Sequence, residues 1–360
     1  MTTIYDVARL ANVSPKTVSR VLNSDAPVSR DTRDQVEAAI ANLGYLPSNA
    51  ARMLRSNRSG LVGMITGAIS NGPNAVAAAG LPDLFIVQGI QQALAASRMT
   101  LMIADTGGMQ DRVAPLIQTF LRHRVEGLIY VAEYHQRVSL PKLPQGTPMV
   151  LVNCFDDQGT AAILPDDRRG EADLVARLIG AGHRRIGFLT LREDMVAGRL
   201  RRLGYHDALR AAGIADDADL VQACDLSGRD GEAQLLWDAI DRMLRLPDPP
   251  TVLCCGNDKM ALMVYGILRT RGSRVPEDIS VAGYDNYRII AETLFPPLTT
   301  VDLPYAAMGV RAAQRLLGLI SGETWKDPGP MLVAGPVLWR QSVTERRVSN
   351  MTKLKTVKED

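Results

Sequence analysis

Asn12-Val13-Ser14-Pro15-Lys16-Thr17-Val18-Ser19-Arg20-Val21-Leu22-Asn23 holds a turn, a helix start and a two-faced helix. Ser14 is a suitable N-cap, and Pro15 suits the first helical position, where a missing N–H leaves nothing unsatisfied. Working outward, helices are expected at Ile4 to Ala11, Pro15 to Leu22 and Arg30 to Asn42, the third opened by Ser29. Val7, Ala8, Ala11, Val18, Val21, Leu22, Val36, Ala39, Ile40 and Leu43 fall at helical spacing, enough for a miniature three-helix core. The second helix is then left with Lys16, Thr17, Ser19, Arg20 and Asn23 facing outward. A helix-turn-helix lays such a face in the major groove, where polar side chains meet the donors and acceptors of base edges. A solvated helix face is the plain alternative, and charge by itself does not choose between them.

The chain has 360 residues, 46% of them apolar, which suffices for two to three packed domains. No apolar stretch approaches the ~20 residues of a membrane span. The first residues lack a basic start, apolar core and cleavage site, so a cytoplasmic protein is expected. Net charge is +2, yet residues 1–58 hold eight Lys/Arg against five Asp/Glu. That local excess is a modest footprint of nucleic-acid binding. Cys154, Cys224, Cys254 and Cys255 form no CxxC pair and read as reduced core thiols. His123, His135, His183 and His206 show no metal-ligand spacing, so neither metal nor cofactor is expected. Gly-x-Ser-x-Gly and Walker patterns are missing, and Asp166-Asp167 fits a capped helix start better than a catalytic carboxylate pair, so an enzyme is not expected.

Beyond residue 60, apolar runs alternate with amphipathic stretches: Leu61 to Thr66, Thr100 to Ala104, Gly127 to Val131, Val150 to Val152, Arg185 to Thr190, Val252 to Cys255 and Ile279 to Ala282. Strands alternating with helices of about 10–15 residues argue parallel sheets covered on both faces, in two lobes.

Ile4-Tyr5-Asp6-Val7-Ala8, Ala11 to Ser14, Thr17 to Asn23, and Gly44-Tyr45-Leu46-Pro47-Ser48-Asn49-Ala50-Ala51-Arg52 resemble the headpiece and hinge of the lac-repressor (LacI/GalR) family. Ala181 to Leu189, Arg201 to Tyr205, Cys254 to Asp258, Ile279 to Asp285, Pro297 to Thr300 and Trp339 to Ser342 resemble its ligand-binding core. The resemblance implies an α/β protein: an all-α helix-turn-helix headpiece (1–47), a hinge helix and linker (48–58), and a two-lobed, periplasmic-binding-protein-like core (59–342). It puts the N-lobe at about 60–160 plus 293–324 and the C-lobe at about 161–292 plus 325–342, leaving 343–360 as a disordered tail.

By the same resemblance, operator choice falls on Pro15, Lys16 and Arg20. The two cations suit guanine O6/N7, while Pro15 offers no donor or acceptor. Tyr5, Ser14, Ser19, Asn23, Thr32 and Tyr45 match phosphate or groove-rim positions, with Thr17 beside them on the helix. The hinge Ser48 to Arg55 is too short to be stable alone and should order only when two copies meet on DNA. Leu54 matches the side chain that wedges into the minor groove, flanked by Arg52 and Arg55.

For the effector the resemblance implies a small carbohydrate in the cleft, met by Asn71, Asn153, Arg201, Asn257, Asp285 and Tyr305. Asp285 can accept from two hydroxyls and Arg201 can donate to another pair. The competing reading makes Asp285 and Arg201 a buried ion pair. Leu226 stands where some relatives carry a stacking aromatic, and residues 72–82 form an insertion that is either a lid or a passive loop. Without leucine heptads at the C-terminus, a homodimer is expected. The resulting expectation is a cytoplasmic repressor released from a pseudo-palindromic double-stranded operator by a sugar. A corepressor-dependent regulator and a free-standing sugar-binding protein stay open beside it.

Overall fold

The computed structural model describes residues 2–23, 26–45, 58–67, 81–144, 146–224, 231–323 and 329–346. The chain divides into a unit of residues 1–60 and a unit of residues 61–360.

The first unit is three helices: α1 (Ile4–Leu10), α2 (Pro15–Asn23) and α3 (Arg30–Leu43). Their starts are set locally. Asp6 reaches back to the Thr3 N–H at 2.9 Å, Ser14 Oγ accepts from Thr17 N at 3.1 Å, and Ser29 Oγ accepts from Thr32 N at 3.3 Å. Each cap satisfies a helix-end donor that would otherwise lack a partner. Val7, Ala8, Ala11, Val18, Val21, Val36 and Ala39 close the core, and Tyr45 joins it with only 8% of its surface exposed.

The second unit holds two six-stranded sheets. Strands β1 (Leu61–Thr66), β2 (Thr100–Asp105), β3 (Gly127–Arg137), β4 (Met149–Phe155), β5 (Ala161–Pro165) and β11 (Met331–Val333) form the first, in the order β11-β5-β4-β3-β1-β2. Strands β6 (Ile186–Thr190), β7 (Val221–Ala223), β8 (Val252–Cys255), β9 (Ser280–Asp285), β10 (Thr299–Asp302) and β12 (Val337–Leu338) form the second, in the order β12-β10-β9-β8-β6-β7. All pairs are parallel except β10 with β12. Helices cover both faces, which is why the strands read as unbroken apolar runs. In the first lobe α4 (Leu81–Leu94) and α11 (Tyr305–Ile320) pack on one face through Ile86, Ile90, Met308, Ala312 and Leu316. There a Cβ on Gly309 would strike the Ile86 carbonyl, and one on Gly89 the Ala306 carbonyl. The opposite face carries α5 (Val113–Arg122) with Ile117 and Phe120. In the second lobe, α6 (Asp167–Gly180) and α7 (Val196–Ala211) cover one face, α8 (Glu232–Leu244) and α9 (Asp258–Thr270) the other. A short α10 (Arg288–Ala291) follows β9.

The chain crosses between lobes at 165–167, 302–305 and 333–337, later in each case than the sequence implies. Residues 161–165 pair as β5 in the first sheet, 299–302 as β10 in the second, and 331–333 as β11 in the first. These strands are too short to show a period, so their sheet was not legible. The tail also needs correction at its start. Val343 is buried, Thr344 accepts from His183 Nε2 at 3.0 Å, and Arg346 N donates to Ala181 O at 2.7 Å. Residues 347–360, the hinge stretch 46–57, residues 72–80 of the 72–82 insertion and Leu226 lie outside the described residues.

Candidate functional site

The head presents one polar stripe. Valines 18 and 21 anchor α2 inward, which turns Lys16, Arg20 and Asn23, spaced by four and three residues, to solvent. Neither Lys16 nor Arg20 pairs with an acid among the described residues. Tyr5 stands out from α1, 66% exposed. The remaining expected contacts are partly engaged within the head. Ser14 caps α2 with Thr17 beside it, Oγ to Oγ1 at 2.9 Å, and Thr32 is bonded to the Ser29 hydroxyl at 2.7 Å. Ser19 is buried, and its carbonyl accepts from Asn23 Nδ2 at 2.8 Å. Tyr45, expected at the groove, instead packs its ring into the core. Pro15 is the first residue of α2. Leu54 and Arg55 lie outside the described residues, as does Asn71.

In open α/β sheets ligands sit beyond the carboxyl ends of the strands. Arg201, on α7, is 4% exposed and gathers groups from those ends. Its Nη1 donates to Gly256 O at 2.5 Å, just past β8 and next to Asn257, and lies 3.6 Å from Asp285 Oδ1 at the end of β9. Its guanidinium stacks over the Tyr284 ring at 3.6 Å. Its nearest acid, however, is Asp167, with Nε donating to Oδ1 at 2.8 Å. The expected Arg201–Asp285 pair is therefore the weaker of two, and Asp285 keeps 31% of its side chain exposed.

Asp167 is fully buried at the first turn of α6 and shares its second oxygen with His135 Nδ1 at 2.8 Å. Burial pushes its carboxyl up, but the Arg201 charge and the hydrogen bond from His135 outweigh burial and hold it below the usual range. His135 reaches it from β3, where four residues (132–135) oppose the single Asn153 of β4. Asn153 takes a left-handed φ of 60° there and donates Nδ2 to Ala132 O at 3.2 Å, closing the bulge. Its amide nitrogen is thus committed to backbone. Asn257 accepts from Met260 N at 2.7 Å and caps α9. Tyr305, at the start of α11, packs against the cores of both lobes.

Two acids lie at the end of the second sheet. Asp258 accepts from Thr300 Oγ1 and Tyr287 N, both at 2.7 Å. Burial, then repulsion from Asp285, pushes it up to about 8, and burial pushes Asp285 up to about 7 against the pull of Arg201. Both carboxyls therefore keep their protons to higher pH than an ordinary aspartate does. Glu171, one turn beyond Asp167 on α6, is buried with neither oxygen bonded among the described residues, and burial raises it to about 8. A cavity of about 270 Å³ opens nearby between β6 and α7, lined by Thr190, Leu191, Glu193, Gly198, Arg199 and Arg202. None of the expected effector residues lines it.

Asp167, His135, Asp258 and Glu171 were missed as site residues because each looks ordinary in sequence. The single available sign was the doublet Asp166-Asp167: Asp166 does cap α6, accepting from Arg169 N at 3.2 Å, which leaves Asp167 free for another task. A further sign exists only in the backbone. Asn153, Asp285 and Asn286 are three of the six non-glycine residues with left-handed φ among the described residues. Such strain collects at ligand sites.

Residues 3–48 match the model of bacterial regulatory proteins of the lacI family, and residues 175–343 match the periplasmic binding protein-like domain. The sucrose operon repressor of Escherichia coli is 31% identical, over 92% of this chain and 99% of that protein. Among solved structures, the lac repressor dimer bound to operator and the anti-inducer ONPF has a TM-score of 0.75 at 28% identity, covering 95% of this chain and 99% of that one. The complex of the transcriptional regulator CelR with cellobiose has a TM-score of 0.61 at 31% identity, covering 95% and 100%.

Proposed function

The chain belongs to the lacI family of bacterial regulatory proteins, and from that premise we propose that it is an operator-binding repressor released by a small uncharged carbohydrate. The observation that carries the DNA half is the stripe on α2: Lys16 and Arg20 face solvent without an acidic partner among the described residues. Cations left unpaired on a rigid helix are positioned to donate to guanine O6/N7, while Tyr5, Thr17, Asn23 and Thr32 surround them as phosphate contacts. Two heads from a homodimer read a pseudo-palindromic site.

The effector half rests on the cluster around Arg201. Asp167 already matches the Arg201 charge, and Asp258 and Asp285 add acid beyond it. That balance suits hydroxyl groups and disfavours a sugar acid or phosphate. Asp285, partly exposed, accepts from hydroxyls, while the free Arg201 N–H groups, Asn257 and Tyr305 serve the remainder. Binding between lobes biases their relative orientation, and the DNA-competent state is populated less.

Salt-dependent shift of an operator fragment selected from random sequence tests the DNA half, since counterion release makes affinity fall steeply with salt. A sugar that releases that fragment from the wild type should fail to release it from Asp285→Asn, whose sugar-free DNA affinity stays near normal. Loss of sugar-free operator binding by Asp285→Asn would make the residue structural. Tighter operator binding with sugar would reverse the sign of control.

A further inference from the structure

We propose that His135 is a positioning residue of the effector site: from the opposite lobe, and through Asp167, it fixes the direction of the Arg201 guanidinium. The inference rests on the reading above that Arg201 meets the effector. Its ground is a chain of bonds that crosses the lobe boundary. His135 belongs to β3 of the first sheet, whereas Asp167 opens α6 directly after the first crossing and Arg201 lies on α7 of the second lobe. All three side chains are buried, at 2.8 Å from His135 Nδ1 to Asp167 Oδ2 and 2.8 Å from Arg201 Nε to Asp167 Oδ1.

The direction of each bond follows from the groups. Asp167 is held ionised, so it only accepts, and His135 must carry its proton on Nδ1. Each carboxylate oxygen then has one donor, one from each lobe. The β3 bulge exists to make this reach. Four residues stand opposite Asn153, and the Asn153 side chain closes the gap they leave, which turns His135 out of the ladder toward α6. Phe155 holds the imidazole edge-on, 6.0 Å between ring centres.

Arg201 needs such a director because it has a choice of acids. Asp285 lies 3.6 Å away, and Glu171, one helical turn from Asp167 on the same buried face of α6, also feels the Arg201 charge while its own two oxygens are unbonded among the described residues. With the His135 donor gone, Asp167 Oδ2 is left dry and unpaired, and the preference of Arg201 for Asp167 over Glu171 or Asp285 weakens. An effector hydroxyl placed for the present guanidinium direction then loses its donor. The same path makes the Arg201 geometry depend on where the first lobe stands, so ligand contact in one lobe is felt in the other.

The test compares His135→Asn, whose amide nitrogen occupies the Nδ1 position, with His135→Gln, whose nitrogen falls near Nε2, and His135→Leu, which has no donor. Full-length protein labelled with 15N-arginine reports the buried Arg201 Nε–H, assigned by its loss in Arg201→Lys. Wild type and His135→Asn should show this resonance protected from solvent. His135→Gln and His135→Leu should exchange it at least about tenfold faster. Thermal shifts with sucrose, cellobiose, ribose and galactose form the second arm: the sugar that stabilises the wild type should keep its shift in His135→Asn and lose more than half of it in the other two. Equal behaviour of Asn and Gln, or a protected resonance in His135→Leu, would overturn the proposal. If no sugar stabilises even the wild type, the carbohydrate reading falls, while the arginine resonance still decides the positioning role.

Discussion

Arg20 and Arg201 carry the same group to opposite ends. Arg20 stands on the exposed side of a nine-residue helix with no acid against it among the described residues, whereas Arg201 is buried with Asp167, Asp285, Tyr284 and the Gly256 carbonyl around it. A surface cation keeps its hydration and gives it up only to a partner that brings charge, such as DNA. A buried cation has lost its water already and must be satisfied from within. The comparison teaches that the head is built to be completed by another molecule, and that the core has completed most of its own charge before a ligand arrives.

The largest effect should come from breaking the inward arrangement. Asp167→Ala leaves Arg201 and His135 without their shared acceptor, and loss of one member of a buried ion network costs about 3–5 kcal/mol. Urea unfolding should show this in the core transition; a change below 1 kcal/mol would mean that Glu171 or Asp285 takes over without loss, and the inward half of the comparison would fail.

Breaking the outward arrangement should cost less and be visible only on DNA. Arg20→Ala should weaken selected operator binding by about 1–3 kcal/mol and relax preference at one base pair, with thermal stability unchanged. Equal losses on selected and random DNA would show that Arg20 meets phosphate alone.

A third test sharpens the contrast through pH. Glu171 ordinarily titrates near 4.5, and burial raises it to about 8 in the folded chain. A raised acid favours the folded state while protonated, so its contribution is fully present below 4.5 and is lost as pH rises through about 8. Glu171→Gln is neutral throughout, so its melting temperature relative to wild type should climb between those limits and level off above them. A difference that stays flat with pH would show that Glu171 is ionised and partnered in the folded protein.

Much of the head was legible because its instructions are local. Ser14, Ser29 and the spacing of Val18, Val21 and Val36 act within a few residues of themselves, and all three helices lie within a residue or so of where spacing puts them. Tyr45 shows the limit: an aromatic with a hydroxyl suits a groove rim and a core equally, and only the packing of α1 to α3 decided for the core. In the larger unit, the long strands were legible and the short ones were not. Ala161–Pro165 joins the first sheet beside β4, and Met331–Val333 joins it only through Ala161–Pro165, across a sequence gap that no local pattern spans. The candidate site divides the same way. Arg201 and Asp285 do meet, but Asn153 has its amide nitrogen committed to the Ala132 carbonyl, and Asp167 with His135 stood outside every motif.

What the sequence determined by itself was the kind of parts: a capped, basic, three-helix head and an alternating strand-and-helix body. Period, capping and turn chemistry are properties of neighbours along the chain, and they survive in any fold that uses the segment. What only the tertiary structure decided was which charges meet. Arg201 pairs with an acid 34 residues earlier and through it with a histidine 32 residues earlier still. That choice depends on which carboxylates are stripped of water near the guanidinium and on a bulge that aims one imidazole across the lobe boundary. Desolvation and long-range geometry exist only once the chain has closed on itself.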